Sequence, residues 1–180
     1  MEGTPEMPAI SGASAAFVEF LTDRLKASLP GHFGTGGTKR VLLERPDRMR
    51  EKNAEGLSVW LYLLEHNPGQ MNRPEHLQPD QSHSLLPLKA HYLCTPSVGT
   101  GGEDGTRVEQ DILETVLLAF QQHPLLREAA NDAALTVRLE HLDIEAMRTI
   151  WGAVGRPYDL SVSYEVALEL AGIRGADPPP

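Results

Sequence analysis

Cysteine is almost absent from this sequence of 180 residues, in which Cys94 is the single example. One cysteine cannot form an intramolecular disulfide, so the cross-linked frameworks of small secreted domains are excluded. A chain of this length buries enough of its surface to fold on a hydrophobic core alone. We therefore expect a protein that folds in a reducing compartment such as the cytoplasm.

Long hydrophobic runs are missing as well. No stretch comes near the roughly 18 consecutive apolar residues that a membrane-spanning helix requires. Residues 1–14 also lack the basic segment and the apolar run that define a signal peptide. The sequence therefore predicts a soluble protein that is neither inserted into a membrane nor exported through a cleaved signal.

Basic residues are scarce, with 16 lysines and arginines against 25 acidic residues and a formal net charge of −9. This balance excludes a generic nucleic-acid-binding protein, which needs a basic surface to meet the phosphate backbone. The acidity is concentrated in residues 91–180, whereas residues 39–52 contain six basic and three acidic side chains. That basic segment is either a solvated loop or an edge that contacts an acidic surface of another copy.

Motifs for catalysis and nucleotide binding are also absent. The glycine-rich segment 31–37 is followed by Thr38 instead of the lysine of a phosphate-binding loop, so it is interpreted as a flexible linker. No Gly-x-Ser-x-Gly motif is present to supply a hydrolase serine. Cys94 has no Cys-x-x-Cys partner and is predicted to be a buried apolar residue. We therefore predict no catalytic residue, no cofactor and no enzymatic activity.

The seven histidines lack the spacing of a metal site. No two of them are four residues apart, as a zinc-binding helix requires, and His91 and Cys94 fall on opposite faces of a strand. We therefore predict no metal ligand. One alternative is a small soluble α+β enzyme or metal-binding protein that uses the loop histidines His66, His76 and His83. Another is a monomeric module that binds a ligand in a deep apolar pocket.

Hydrophobic periodicity predicts three helices and five strands. The helices cover residues 14–29, a segment that starts at a capping box of Thr106 and Glu109, and residues 144–151 behind a cap by Asp143. The strands cover residues 41–43, 57–65, 86–95, 135–140 and 160–170. Because three strands follow one another without a helix, a doubly wound nucleotide fold is disfavoured. The predicted fold class is α+β, with a single mixed, mostly antiparallel sheet and helices packed on it.

This layout divides the chain into a flexible N-terminus over residues 1–13, one α+β domain over 14–173 and a disordered tail over 174–180. The polar loop 66–85 is unusually long for a compact domain, and such loops are often functional. Trp151, at the end of the last predicted helix, is expected in the core, with a role as an interface anchor as the alternative.

Several phrases of the sequence resemble one protein family when they are taken in order. They are Leu57-x-x-x-Leu61-Tyr62, a loop with Asn72-Arg73-Pro74, the run from Leu86 to Pro96, Glu109-Gln110-Asp111-Ile112-Leu113, His123-Pro124-Leu125-Leu126, residues 139–151 and Leu160-Ser161-Val162-Ser163-Tyr164. This order spans nearly the whole chain. It is similar to the cap or tail-terminator family of extracellular contractile injection systems, phage-tail-like particles exemplified by the antifeeding prophage and the Photorhabdus virulence cassettes.

The resemblance implies a structural, non-enzymatic protein with a fold similar to that of phage tail terminators. It implies a homo-hexameric ring on the distal end of the inner tube and sheath, which stops their polymerisation at the correct length. The implied partners are the inner tube and sheath proteins, with no cofactor, no nucleic acid and no membrane insertion. Assembly is expected in the cytoplasm, as part of a particle that can be released.

A closed ring requires one surface of each copy to meet a different surface of the next copy. The basic segment is suited to such pairing, and the loop around Asn72 is expected to reach a sheath or tube neighbour. Reversing Arg48 and Arg50 to glutamate is then expected to weaken assembly without changing the folding of the monomer. The candidate interface residues are Arg40, Arg45, Arg48, Arg50, Asn72, Arg73, Pro74 and Trp151.

Overall fold

Six strands form one sheet in the computed structural model of the chain, which describes residues 10–68, 85–99, 102–127 and 134–171. The strands are β1 (Arg40–Leu43), β2 (Gly56–His66), β3 (Leu85–Ser97), β4 (Leu125–Arg127), β5 (Ala134–Glu140) and β6 (Val162–Ala171). The helices in the same residues are α1 (Ile10–Ser28), α2 (Pro30–Phe33), α3 (Pro46–Glu51), α4 (Glu103–Gln122) and α5 (Ile144–Val154).

The strand order across the sheet is β1-β2-β3-β6-β5-β4. The β1–β2 pair is parallel, and the other neighbouring pairs are antiparallel. The helix α3 lies in the connection from β1 to β2, because parallel strands cannot be joined by a tight hairpin. The predicted α+β class, with a mixed and mostly antiparallel sheet, is therefore confirmed.

The main hydrophobic core lies between one face of the sheet and the helices α1 and α4. Phe17 on α1 is fully buried, and its ring centroid lies 4.8 Å from those of both Tyr92 on β3 and Phe120 on α4. The hydroxyl of Tyr92 shares a 2.7 Å hydrogen bond with that of Ser14, so the polar end of this buried ring is satisfied. The aromatic contacts hold the two helices to the centre of the sheet.

A smaller core lies on the opposite face of the sheet, beneath α5. Met147, Trp151 and Val154 on this helix pack against Leu93 of β3. The helix starts as the sequence predicts, since the side chain of Asp143 accepts a 2.8 Å hydrogen bond from the backbone N–H of Ala146. Both faces of the sheet therefore carry helices, and Trp60 and Tyr62 of β2 pack against the cluster beneath α5.

The two long helices begin earlier than the sequence predicts. α1 begins at Ile10, inside the segment 1–13 that was expected to be flexible, and Ala13 is fully buried. α4 begins at Glu103, so the predicted capping box at Thr106 does not form. The hydroxyl of Thr106 instead donates a 3.3 Å hydrogen bond to the carbonyl of Gly102, inside the first turn. Residues 1–9 and 172–180 lie outside the described residues.

The short elements were not predicted. Segment 31–37 is not a flexible linker, because α2 buries Phe33 and the backbone N–H of Lys39 donates to the carbonyl of His32 at 3.0 Å. Pro46 starts α3, since its fixed backbone angle suits the first position of a helix. β4 also lies in a segment with no predicted strand.

The strand β2 begins at Gly56, which pairs with β1. Replacement of this glycine is expected to destabilise the sheet. Gly56 pairs in register with Arg40 and has a φ of +132°, and a Cβ there would lie 2.0 Å from the carbonyl oxygen of Arg40. We expect Gly56→Ala to lower the free energy of unfolding by about 2–3 kcal/mol, because both the backbone angle and the neighbouring strand oppose a side chain. Urea unfolding of the two proteins measures the difference.

The matched control is Gly152→Ala in α5. Gly152 lies within the helix, and a Cβ there would meet no heavy atom within 4 Å. This variant is expected to raise the free energy of unfolding by about 0.5–1 kcal/mol through helix propensity. If both substitutions changed the free energy of unfolding by the same amount in the same direction, the close approach of β1 to Gly56 would be contradicted.

Candidate interaction surfaces

Residues 39–52, called the basic edge below, lie at one border of the sheet. Arg40 begins the border strand β1, Arg45 is the N-cap of α3, and Arg48 and Arg50 belong to α3. The structure therefore brings together the four arginines that the sequence singled out. Most of the basic side chains are paired within the chain, through Lys39–Glu55, Arg45–Asp47, Arg48–Glu51, Arg50–Asp159 and Lys52–Glu44.

Two of these pairs are structural because one member has a buried or largely covered side chain. Lys39 is buried and donates to Glu55 at 2.5 Å, and this hydrogen bond lowers the pKa of the Glu55 carboxyl. Arg45 makes two hydrogen bonds of 3.1 Å to Asp47, and its guanidinium lies 5.5 Å from the centroid of the Trp60 ring. These groups hold β1 and α3 in place.

Arg50 is also structural, which corrects one expectation. Its guanidinium donates to Asp159, 109 residues further along the chain, and both side chains are half-buried. An Arg50→Glu substitution would place two carboxylates together and destabilise the monomer itself. Reversal of Arg50 is therefore not the neutral change that the sequence suggested.

Arg40 and Arg48 keep charge available for a partner. The Arg40 guanidinium donates to the backbone carbonyls of Gly37 and Lys39, at 2.7 and 2.8 Å. Arg48 makes a 3.3 Å contact with Glu51 in which both side chains are more than half exposed, so water screens the pair. Within the described residues, these two arginines are the best candidates for an intermolecular contact at the basic edge.

Other predicted interface residues do not lie on a described surface. Trp151 is 2% exposed in the second core, where its Nε1 lies 3.4 Å from the hydroxyl of Ser161. It supports α5 from inside and offers no contact area to another chain. Asn72, Arg73 and Pro74 lie outside the described residues, as do the alternative metal ligands His76 and His83. His66 is exposed at the end of β2.

A surface that the sequence did not predict lies near the other border of the sheet. Leu117 and Leu118 on α4 and Leu139 on β5, called the apolar patch below, are 37%, 50% and 59% exposed. With Phe120 and Tyr164 they line a shallow depression of about 240 Å³. Exposed apolar groups that form one patch are typical of an interface, whereas single ones are not.

The spacing of the apolar residues does not separate this patch from the core. Leu139 continues the alternation of Leu135 and Val137, which are buried, but it lies beyond the cover of the helices. Leu117 and Leu118 are adjacent on α4, so they extend the apolar surface beyond the width that one core-facing stripe needs. Periodicity indicates which face a side chain occupies and does not indicate whether that face is covered.

The helix that carries the patch is acidic. α4 contains five acidic side chains and one basic side chain, and four of the acidic ones are exposed. The exposed acidic residues are Glu103, Asp104, Asp111 and Glu114. The fold therefore separates the basic edge at β1 from the apolar patch, because Leu139 lies on β5, next to the opposite border strand β4.

Cys94 is fully buried in the main core. Burial raises the pKa of its thiol, so the thiolate form needed for nucleophilic attack is disfavoured. The prediction of a buried apolar role for Cys94 is confirmed. No helix in the described residues has the length and apolar character needed to cross a bilayer.

Comparison with known proteins identifies one family. The family model described as the Pvc16 N-terminal domain matches residues 16–176. A search of characterised proteins finds no significant sequence match.

Among solved structures, the tube-terminating cap of the anti-feeding prophage superposes with a TM-score of 0.64 at 14% identity, over 95% of this chain and 58% of that chain. The sheath/tube terminator of PVC, an extracellular contractile injection system, in its extended state gives a TM-score of 0.54 at 14% identity, over 89% of this chain and 58% of that chain. The chain thus spans less than two thirds of either solved protein. Identity at this level shows a shared fold.

Proposed function

This chain belongs to the Pvc16 N-terminal domain family, and from that membership we propose that it is a structural cap protein of a contractile injection system. It ends the inner tube and sheath and has no enzymatic activity. The observation that carries the proposal is the fold shared with the anti-feeding prophage cap over 95% of this chain. The domain proposed for this role is the α+β unit predicted over residues 14–173.

The cap is a ring of six copies joined head to tail. A ring needs two different surfaces on each copy, and the basic edge and the apolar patch meet this requirement, because β1 is one border strand and Leu139 lies on β5, beside the opposite border strand β4. Arg40 and Arg48 of one copy face the acidic side chains of α4 on the next, and the apolar patch forms the desolvated centre of the contact. The remaining surfaces meet the inner tube and sheath proteins, and the ring assembles in the cytoplasm as part of a particle that can be released.

The first test is the solution mass of the purified chain by light scattering, at low and moderate salt. We expect an oligomer that dissociates as salt is raised, because exposed charge pairs weaken as the ionic strength rises. If the ring forms only on the end of the tube, the purified chain is a monomer in solution but binds the tube and sheath proteins in a pull-down. A chain that stays monomeric and binds neither protein would contradict the cap proposal.

A second test reverses charge at the basic edge with Arg40→Glu and Arg48→Glu together. This variant is expected to weaken association at least tenfold while leaving the free energy of unfolding, measured in urea, within about 1 kcal/mol of the original. The reason is that neither guanidinium pairs with a buried carboxylate. The control is Arg148→Glu with Arg156→Glu, two exposed arginines, one within α5 and one just after it, that give the same change in net charge. Equal association of both double variants would exclude the basic edge from the contact.

A further inference from the structure

A cluster of polar side chains lies on the sheet face that carries α5, on the opposite side from the apolar patch. His91 on β3, Glu140 on β5 and Glu165 on β6 each place one potential ligand atom within 4.8 Å of the others. The register brings them together, since His91 pairs with Glu165, and Glu165 pairs with Arg138 two residues before Glu140. Three strands that are separate in sequence therefore supply one site.

His91 is the least exposed member of the cluster, with a side chain that is 6% exposed. Its Nδ1 lies 2.8 Å from Glu140 Oε1, whereas Nε2 forms no hydrogen bond with any described residue. Nε2 faces Glu65 Oε1 at 3.4 Å, which is long for a hydrogen bond. A buried ring nitrogen without a partner is rare and calls for a physical reason.

The carboxylate of Glu140 is held in a fixed orientation. Its Oε2 accepts hydrogen bonds from Ser163 Oγ at 2.6 Å and from the Tyr62 hydroxyl at 3.2 Å. The remaining oxygen of Glu140 is therefore aimed at the ring of His91.

Negative charge exceeds positive charge around this ring. Three carboxylates, those of Glu65, Glu140 and Glu165, surround it. Lys89 binds Glu165 at 2.7 Å, and Arg138 is close enough to Lys89 to oppose its charge. With a neutral imidazole the cluster carries one net negative charge, which favours a bound cation.

We propose that His91, Glu140 and Glu165 bind a divalent transition-metal ion such as Zn²⁺. The ligands are Nδ1 of the ring and one oxygen of each carboxylate, with water completing the coordination, because zinc takes imidazole nitrogen and carboxylate oxygen. The ion takes the place of the proton between Nδ1 and Glu140, and the neutral ring changes tautomer so that it carries this proton on Nε2, with no net release of a proton. Nε2–H then points to Glu65, which acts as the outer carboxylate that metal-bound histidines usually have.

The bound ion would join β3, β5 and β6 and would stabilise the sheet without taking part in a reaction. The site does not depend on ring formation, because its residues lie on the other face from the apolar patch and away from β1. Lys89 competes with the ion for Glu165. Removal of a ligand and removal of this competitor should therefore change the affinity in opposite directions.

The test uses the full chain after chelation, titrated with Zn²⁺ in a calorimeter and with Co²⁺ by visible absorption. We expect saturable binding at one site per chain, and a rise in Tm of about 5 °C at a hundredfold excess of free zinc over Kd. Mg²⁺ alone should bind much more weakly, since it prefers oxygen ligands and water. Absence of saturable Zn²⁺ binding to the chelated chain would overturn the proposal.

Substitutions of the ligands and of Lys89 test which residues bind the ion. Glu165→Gln and His91→Gln are expected to weaken Zn²⁺ binding at least tenfold, while Lys89→Gln strengthens it several-fold. The control is His66→Gln, an exposed histidine on β2 whose loss should leave the affinity unchanged. If His91→Gln does not fold, Glu165→Gln and Lys89→Gln still decide, because both change side chains that reach the surface. Binding that survives in Glu165→Gln, or that is lost in His66→Gln, would place the ion elsewhere.

Discussion

Replacing Phe17 with alanine is expected to lower the free energy of unfolding by about 3–5 kcal/mol. The ring is fully buried, and its centroid lies within 6.2 Å of those of Tyr92, Phe120 and Tyr164. Truncation removes the contacts that hold α1 to α4 and to the centre of the sheet, and it leaves a cavity between rigid aromatic rings that cannot close over it. We expect Tm to fall by roughly 10 °C.

Urea unfolding followed by circular dichroism measures this loss, with an unchanged slope showing that the transition remains two-state. The control is Ile144→Ala, which removes an apolar side chain that is 80% exposed at the start of α5. That variant should stay within about 0.5 kcal/mol of the original. A loss below about 1 kcal/mol for Phe17→Ala would mean that α1 does not pack on the sheet as described.

Much of this core could be predicted from spacing alone. Phe17, Leu21 and Leu25 recur at the period of a helix and are all fully buried on α1. Tyr164 and Val166 alternate with the polar residues Ser163 and Glu165 and are buried on β6. Long amphipathic segments can be predicted because each one repeats its pattern over several turns or strand positions.

Short elements lacked that repetition. α2 and α3 contain four and six residues. α2 buries Phe33 and α3 buries Pro46 and Met49, and no local pattern indicates this burial. β4 has three residues and exists because β5 lies beside it. Tertiary packing determines such elements, so a single sequence carries little signal for them.

The basic edge could be predicted in part from the sequence, whereas the apolar patch and the cluster around His91 could not. The basic edge is visible in the sequence because its arginines are close together, but the pairing of Arg50 with Asp159 depends on the fold. The apolar patch and the cluster around His91 each combine residues from separate elements. Local patterns identify the residue types in such sites, and only the register of the sheet shows which of them meet.

Introducing a charge into the apolar patch is expected to have the largest effect on assembly. In Leu118→Asp, ring formation would bury a carboxylate without a partner, which costs several kcal/mol and lowers the affinity at least a hundredfold. The monomer should fold normally, because Leu118 is 50% exposed on α4. Light scattering should then report a monomer, and the matched Ile144→Asp variant should assemble like the original chain. Assembly of Leu118→Asp at the original strength would show that the contact lies elsewhere.

Mixing the two classes of variant tests the head-to-tail arrangement itself. The Leu118→Asp chain keeps an intact basic edge, and the Arg40→Glu, Arg48→Glu chain keeps an intact apolar patch. In a head-to-tail arrangement, the intact basic edge of the Leu118→Asp chain can contact the intact apolar patch of the Arg40→Glu, Arg48→Glu chain. The two remaining surfaces are both altered, so the mixture should give a one-to-one dimer that cannot close into a ring. Each variant alone should remain a monomer. If the contact were self-complementary instead, every mixed pair would retain both defects, and the mixture would stay monomeric as well.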